Sequence, residues 1–161
     1  MKFTNEVQRM ILEVNSDVKE INASDRGRGY DWPRPARCPR CSGVRIWGHG
    51  FAWAFFESLK AGLYLKRYRC PCCGCVIRMK PAGYFSRFSV TVEKIKSSVA
   101  SRAGNGPWLK DLGANRQRHW LRSLTHQVTA HLGLGWLNRL VEGFDILVSQ
   151  GMVPVSRSFK T

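Results

Sequence analysis

The sequence carries two copies of one short pattern, CPRCSG at residues 38–43 and CPCCG at residues 70–74. A CxxC turn points two thiolates at one ion, and a glycine just past the turn permits the positive φ that such a turn needs. Two turns supply four thiolates, which is the tetrahedral donor set of structural Zn²⁺. We therefore expect one structural zinc ion held by Cys38, Cys41, Cys70 and Cys73.

The remaining cysteines and one histidine leave other ligand sets open. Cys75 lies two residues beyond Cys73 and could act as a ligand, paired with Cys73 or with Cys72. His49 is a further candidate, although a histidine at such a position is more typical of a strand surface. An iron–sulfur cluster also takes four cysteines. A redox-active CxxC would be single and would open a helix after a strand, and neither condition holds here.

The residues around the cysteine turns predict a small sheet. Residues 44–56 are rich in β-branched and aromatic side chains. In residues 63–69, Leu63 and Leu65 alternate with Tyr64 and Lys66, and residues 75–79 are predicted to form a short third strand. Such a sheet has too little core of its own and needs the ion for stability. The predicted fold class is therefore α+β, with a three-stranded zinc ribbon at residues 38–85.

The N-terminal part is predicted to be an amphipathic helix at residues 1–25. Between residues 3 and 22, apolar side chains recur at steps of three and four, at Val7, Ile11, Val14, Val18 and Ile21. Residues 26–37 follow as a basic arm rich in Arg and Pro. Trp32 in this arm is expected either to be functional or to pack back on the ribbon.

Residues 86–150 predict a helical module of helix-turn-helix proportions. Thr91 caps a first helix that ends near residue 103, residues 108–112 form about one helical turn, and Asn115 caps a long helix at residues 116–132. A last helix spans residues 136–150, and residues 151–161 are expected to be a loose basic tail.

The start of the long helix is the candidate reading element for nucleic acid. In a helix-turn-helix unit the N-terminal residues of the second helix meet base edges in the major groove. The candidate contacts are Asn115, Arg116, Gln117, Arg118, His119 and, for phosphates, Arg122. The alternative is an ordinary amphipathic helix with a solvated basic face.

A second candidate surface is the strand in which basic and aromatic residues alternate. Lys66, Arg67 and Arg69 are interleaved with Tyr64 and Tyr68, and strand aromatics can stack on unpaired bases. The alternative is that these aromatic rings serve only sheet packing.

The net charge of +15 favours a polyanionic partner. It is uneven, since residues 1–25 hold three basic and five acidic side chains whereas residues 26–161 hold 23 basic and 6 acidic ones. Nucleic acid is the commonest such partner and a membrane surface is the second. The remaining alternative is a surface charge that serves only solubility.

No apolar run is long enough to span a bilayer, and residues 1–10 contain charged side chains where a signal peptide would be apolar. We expect a cytoplasmic protein, associated with the nucleoid if it is bacterial, and no membrane partner.

The order of these motifs resembles the N-terminal recognition part of bacterial insertion-sequence transposases, and also the small zinc-ribbon proteins of mobile elements. The resemblance covers residues 36–132 and rests on the two cysteine turns and on NRQRHW at residues 115–120. It implies binding to double-stranded DNA at the ends of the element, with the four zinc ligands named above and a reading helix that starts at Arg116.

The chain departs from those transposases in its acidic residues. They carry a catalytic domain in which three acids hold two Mg²⁺ ions, whereas beyond Glu93 this sequence offers only Asp111, Glu142 and Asp145. It also contains no Ser/His/Asp order and no phosphate-binding glycine loop. We therefore expect no catalytic residues and no enzyme, but a DNA-binding accessory or regulator of a mobile element.

Two other functions remain open. A zinc ribbon with high basicity also suits an RNA-binding or ribosome-associated protein. An adaptor would bind a transposase or another protein through the N-terminal helix.

Overall fold

The computed structural model describes residues 9–157 of the chain. The chain divides into two compact units at the boundary between Val90 and Thr91. The first unit is built on a sheet and the second on helices, so the predicted α+β class is confirmed.

A four-stranded sheet of order β1-β4-β3-β2 organises the first unit. Its strands are β1 Arg9–Glu13, β2 Trp47–Ala54, β3 Leu63–Arg69 and β4 Val76–Lys80. The antiparallel strands β2, β3 and β4 lie where the sequence predicts the ribbon. The sheet is larger than predicted, because β1 adds to β4 in parallel.

The predicted N-terminal helix is therefore wrong over residues 9–13, which form β1. Each residue of β1 pairs with one of β4, from Arg9 with Val76 to Glu13 with Lys80, and the amide of Val14 continues the ladder to the carbonyl of Lys80 at 2.9 Å. Pairing with the open edge of β4 satisfies backbone groups and outweighs the local helical pattern. The part of that prediction on residues 1–8 lies outside the described residues.

The helical pattern is realised only in α1, Val18–Ala23. Asp17 and Glu20 form a reciprocal capping box at its start, and Val18 and Ile21 are buried against the sheet. Over residues 9–23, the predicted helix is thus a strand, a turn and a short helix.

The basic arm packs on the sheet through Trp32, which agrees with the expectation that this residue packs back on the ribbon. The Trp32 indole N–H donates to the carbonyl of Gly27 at 2.6 Å, and the Tyr68 hydroxyl donates to the carbonyl of Trp32 at 3.1 Å. A Cβ at Gly27 would lie 2.2 Å from the Tyr64 carbonyl oxygen, so this close approach requires glycine.

Three helices form the second unit: α2 Val92–Ala103, α3 Ala114–Leu132 and α4 Leu140–Ser149. They bury a core made of Ile95, Val99, Leu124, Val128, Phe144 and Leu147. A Cβ at Gly143 would lie 2.9 Å from Val128 Cγ2, so glycine lets α4 approach α3 closely. Thr91 caps α2 as predicted, by accepting from the amide of Lys94 at 3.2 Å.

Three local predictions in this unit are corrected. Residues 108–112 contain no helical segment, since residues 109–112 form a turn, and Gly113 instead of Asn115 occupies the N-cap of α3. The last helix begins at Leu140 and not at residue 136, because residues 134–136 form a 3₁₀ turn.

The tail is anchored over its described part, so a loose tail is wrong for residues 151–157. Val155 is buried, and the Gln127 side-chain amide donates to the Ser156 carbonyl at 3.2 Å. Residues 158–161 lie outside the described residues. Between residues 9 and 157, no helix is both long and apolar enough to cross a membrane.

Candidate metal centre and basic surfaces

The two cysteine turns share one backbone geometry. In the first, the amide of Ser42 donates to the Cys38 carbonyl at 2.9 Å, and in the second the amide of Gly74 donates to the Cys70 carbonyl at the same distance. The residue just past each turn is left-handed, with φ 62° at Ser42 and 73° at Gly74. The left-handed residue of the first turn is thus a serine and not the glycine that follows it.

Gly43 has a different role, because it lies against the sulfur atoms. A Cβ at this position would be 3.3 Å from Cys41 Sγ and 3.5 Å from Cys70 Sγ. The missing side chain therefore leaves room for the sulfurs to converge.

The structure brings together the four sulfurs that were predicted as ligands. Their Sγ atoms all lie within 4.8 Å of one another, and the pairs Cys38–Cys73 and Cys41–Cys70 are each 3.6 Å apart. A disulfide would need about 2.05 Å. Four sulfurs around a tetrahedral ion at Zn–S about 2.3 Å lie about 3.8 Å apart. The cluster therefore has the size of a metal site.

The protein environment of Cys38 favours its thiolate. Burial opposes ionisation, but hydrogen bonds from the backbone amides of Cys41 and Arg40, together with those from the thiols of Cys73 and Cys70, lower the pKa of Cys38 to about 6. Such N–H···S contacts orient and charge a ligand sulfur.

The alternative cysteines lie outside this group. Cys72 is exposed, and Cys75 is buried with a pKa raised by burial and by the nearby thiols of Cys38 and Cys73. Its thiol contacts the carbonyl of Val76 at 3.8 Å. The described Cys/His/Asp/Glu side chains converge only at the four predicted ligands, so His49 does not join them.

One predicted reading residue, Gln117, is buried and fully engaged, which corrects its assignment as a base contact. Its side-chain oxygen accepts from Ser98 Oγ at 2.7 Å and from the Leu109 amide at 2.9 Å. Its side-chain N–H groups donate to the carbonyls of Leu109 and Leu112. Gln117 therefore joins the turns at residues 109–112 to α2 and α3.

Apart from His119, the other predicted contacts on α3 face solvent. Asn115, Arg118, Arg122 and His126 are exposed and recur at steps of three and four, so they form one stripe, which we call the α3 stripe. Arg118 donates to Asn115 Oδ1 at 2.9 Å, which holds the first pair together. Arg116 is exposed beside the stripe.

His119 is half-buried at the edge of the α3 stripe. Its pKa is lowered by burial and then by the positive charges of Arg157 and Arg122, and Arg157 Nε donates to Nδ1 at 3.4 Å. The ring accepts this hydrogen bond in a depression that Arg122, Ser123 and Arg157 also line.

The basic residues of β3 do not form one surface. Successive strand residues face opposite sides, so Lys66 leaves one face while Arg67 and Arg69 leave the other. Lys66 Nζ lies 4.8 Å from the centre of the Phe51 ring. Arg67 Nε is buried and has no hydrogen-bond partner.

The tyrosines of β3 are not free for stacking on bases. Tyr68 is buried, and the Tyr64 ring is covered by the Arg28 guanidinium at 4.1 Å and by the Trp53 ring at 4.6 Å. The sheet-packing interpretation of these rings is the correct one.

Arg9 and Arg78 are basic residues that the sequence-based prediction missed. Arg78 lies directly opposite Arg67 on the same sheet face. The alternation of Val76, Arg78 and Lys80 in the sequence could have placed Arg78 on this sheet face. Arg9 could be placed there only once the pairing of β1 with β4 was known.

Comparison with known protein families finds no match, and comparisons with curated proteins and with solved structures find none either.

Proposed function

We propose that this chain is a double-stranded-DNA-binding protein whose first unit is held together by a structural zinc ion. The observation that carries the DNA proposal is the α3 stripe. Helix α3 contains no Asp or Glu over 19 residues, and its exposed side carries Asn115, Arg118, Arg122 and His126. Phosphate contacts need such a row of cations, and base edges need amide and guanidinium groups.

The donor chemistry supports zinc in the metal site. Four cysteine sulfurs form a closed site without a position for substrate, which is the arrangement of structural zinc. When bound, the ion would cross-link the two cysteine turns and so fix the entry to β2 and to β4. The residues Cys38, Cys41, Cys70 and Cys73 would hold it.

Replacement of Cys41 by serine tests the metal site. We expect the zinc-loaded protein to contain one zinc per chain, measured by elemental analysis. The Cys41→Ser variant should contain no stoichiometric zinc and should lack a normal melting transition. Cys72→Ser, which alters an exposed thiol outside the cluster, is the matched control. Stoichiometric zinc in Cys41→Ser would contradict the assignment.

Selection from a randomised duplex pool near physiological salt tests the DNA proposal. We expect the zinc-loaded chain to enrich a motif of several base pairs. The double variant Arg118→Gln/Arg122→Gln should bind that motif about tenfold or more weakly, since good base contacts contribute about 1–3 kcal/mol each.

The variant Arg37→Gln/Arg45→Gln removes the same charge from exposed positions in the first unit and serves as the control. It should keep the base preference and lose only salt-dependent affinity. Unchanged base preference in the α3 double variant would exclude α3 as the reading helix. Stronger retention of a randomised RNA pool than of the duplex pool, measured in a parallel selection, would favour the RNA-binding alternative.

The proposed setting is an accessory or regulatory role in a mobile element, which follows from the resemblance of residues 36–132 to transposase recognition regions. A structural observation supports a non-catalytic role. The acids that the transposase comparison singles out are ion-paired, Asp111 with Lys94, Asp145 with Lys96 and Glu142 with Arg139. An enriched motif that matches the ends of an insertion sequence would support this role, and one that matches none would contradict it.

A further inference from the structure

A depression in the second unit is lined by basic and hydroxyl side chains from helix α3 and from the segment after α4. Its volume of about 350 Å³ lies at the lower end of the range for ligand-binding clefts. Two guanidinium groups, two imidazole rings and two hydroxyl groups line it, those of Arg122, Arg157, His119, His126, Ser123 and Ser156. We call it the His119 depression. None of the side chains in this lining is acidic, so their shared chemistry suits an anion.

Helix α3 supplies four of these side chains on one face. His119, Arg122, Ser123 and His126 recur at steps of three and four residues, which makes them neighbours on the surface of a helix. Arg122 and His126 also belong to the α3 stripe, so the depression and the stripe share two residues. An anion in the depression would therefore lie beside the proposed DNA-binding surface.

The segment after α4 supplies the remaining side chains. The Gln127 side-chain amide donates to the Ser156 carbonyl at 3.2 Å, and the amide of Ser156 donates to the Val153 carbonyl at 3.1 Å. Together with the buried side chain of Val155, these bonds fix the position of Arg157 next to α3. Arg157 lies in a part of the sequence that was predicted to be a loose tail, so its place in the depression depends on tertiary structure.

The cations of the depression have no carboxylate partner in the described chain. Between residues 9 and 157, Arg122 forms no ion pair or hydrogen bond with another residue, and Arg157 Nε donates to His119 Nδ1 at 3.4 Å. Burial and then the charges of Arg157 and Arg122 lower the pKa of His119. Positive charges this close repel one another, and an anion between them would offset that repulsion.

We propose that the His119 depression binds one phosphate group of the DNA backbone, held between Arg122 and Arg157. Guanidinium groups match the oxygen geometry of phosphate, and arginine and serine side chains commonly contact backbone phosphates in protein–DNA complexes. The inference rests on the proposed function and deepens it, because it adds a phosphate site beside the α3 stripe. A free phosphomonoester offers the same chemistry, and experiments with and without DNA distinguish the two sources.

Phosphate binding at this site should change the protonation of His119. A ring that accepts through Nδ1 carries its proton on Nε2, whereas a doubly protonated ring donates from both nitrogens. The negative charge of a bound phosphate favours the doubly protonated ring and so raises the pKa of His119. Binding therefore takes up a proton, and the affinity should fall as pH rises through the pKa of His119 in the complex. The charged and titratable groups that face this ring are Arg122 and His126 on α3 and Arg157 beyond α4.

Fluorescence anisotropy of the zinc-loaded full chain with a labelled random-sequence duplex tests the site. Between about pH 6 and about pH 8, at constant ionic strength, the affinity of the parent chain should fall about three- to tenfold, the range for one histidine that gains a proton on binding. His119→Gln should remove most of this pH dependence. His131→Gln, which alters an exposed histidine of α3 outside the depression, should keep it and is the matched control.

The arginine of the tail segment is tested in the same assay. Arg157→Gln should bind the duplex about three- to fivefold more weakly than Arg45→Gln, which removes one exposed charge far along the sequence from the depression. Thermal unfolding at the temperature of the parent chain would show that each variant is folded. Equal affinities of the two arginine variants would overturn the role of Arg157.

Inorganic phosphate tests the site without DNA. The pKa of His119, measured by nuclear magnetic resonance of its ring, should be higher in phosphate than in chloride of equal ionic strength. Arg157→Gln should reduce this difference, because it removes one of the two groups that hold the phosphate.

The two probes separate this site from the proposed function. Duplex affinity that falls with pH in the parent chain but not in His119→Gln supports the site. Duplex binding with the same pH dependence in both chains overturns it and leaves the role of the α3 stripe intact. If the chain binds no duplex, the proposed function fails. A rise in the pKa of His119 with phosphate then overturns DNA as the source and assigns the site to a free phosphomonoester, whereas no rise overturns the site itself.

Discussion

Ser42 and Gly74 occupy equivalent positions in the two cysteine turns, with left-handed φ values of 62° and 73°. A left-handed conformation costs an L-residue about 1–2 kcal/mol, and glycine avoids this cost. The first turn therefore carries backbone strain that the second does not.

The two positions predict opposite substitution effects. Gly74→Ala should destabilise the first unit by about 1 kcal/mol, because alanine is strained at a left-handed position. Ser42→Gly should leave the stability unchanged or raise it slightly. The relief of backbone strain in the folded state offsets the conformational entropy that glycine adds to the unfolded chain. Competition with a chelating dye and thermal melting measure both effects. Gly135→Ala, at a position with open space and no positive φ, should change neither. Equal losses from both turn variants would contradict this account of the strain.

At the same scale, Gln117 shows why residue roles are hard to infer from sequence. Its neighbours Arg116 and Arg118 are exposed. A Gln side chain can hydrogen-bond the edge of adenine, just as an Arg side chain can hydrogen-bond the edge of guanine. It is buried because residues 109–112 form turns whose backbone groups need partners. Such partners depend on tertiary packing, which local periodicity does not report.

At the scale of elements, the cysteine turns made part of the fold predictable. They mark the starts of β2 and β4, and the strand predictions at residues 44–56, 63–69 and 75–79 overlap all three antiparallel strands. The four clustered sulfurs were equally predictable, because their spacing encodes the site. Strand β1 was not, since a parallel pair between distant segments leaves no local signal.

A short signal for the true helix start was nevertheless present. Asp17 and Glu20 have the capping-box spacing, and the structure shows both reciprocal bonds. We expect Asp17→Ala to lower the free energy of unfolding by about 1 kcal/mol, measured by denaturant titration. Asn15→Ala, a nearby exposed position, is the control. A loss no larger than that of the control would indicate that the cap contributes nothing to stability.

At the scale of the whole molecule, the division between Val90 and Thr91 places all four clustered cysteines in one unit. The second unit holds its core without any of them. Loss of the metal should therefore have a local effect.

Hydrogen exchange with and without a strong chelator tests this expectation. Peptides from residues 38–80 should lose protection when zinc is removed, because structural zinc contributes about 10–16 kcal/mol to small zinc domains. Peptides from α2, α3 and α4 should exchange at unchanged rates. Loss of protection in both units would mean that they unfold together, and loss in neither would contradict a structural role for the metal.

The parallel pairing of β1 with β4 also sets an order of events during synthesis. The ion pair between Glu13 and Lys80 can form only after Lys80, which lies 67 positions later in the chain, has been synthesised. All four cysteines of the cluster precede β4 and leave the ribosome before it. Metal capture can thus come first and shorten the chain loop that must close to pair β1 with β4, which would otherwise be a slow, long-range closure.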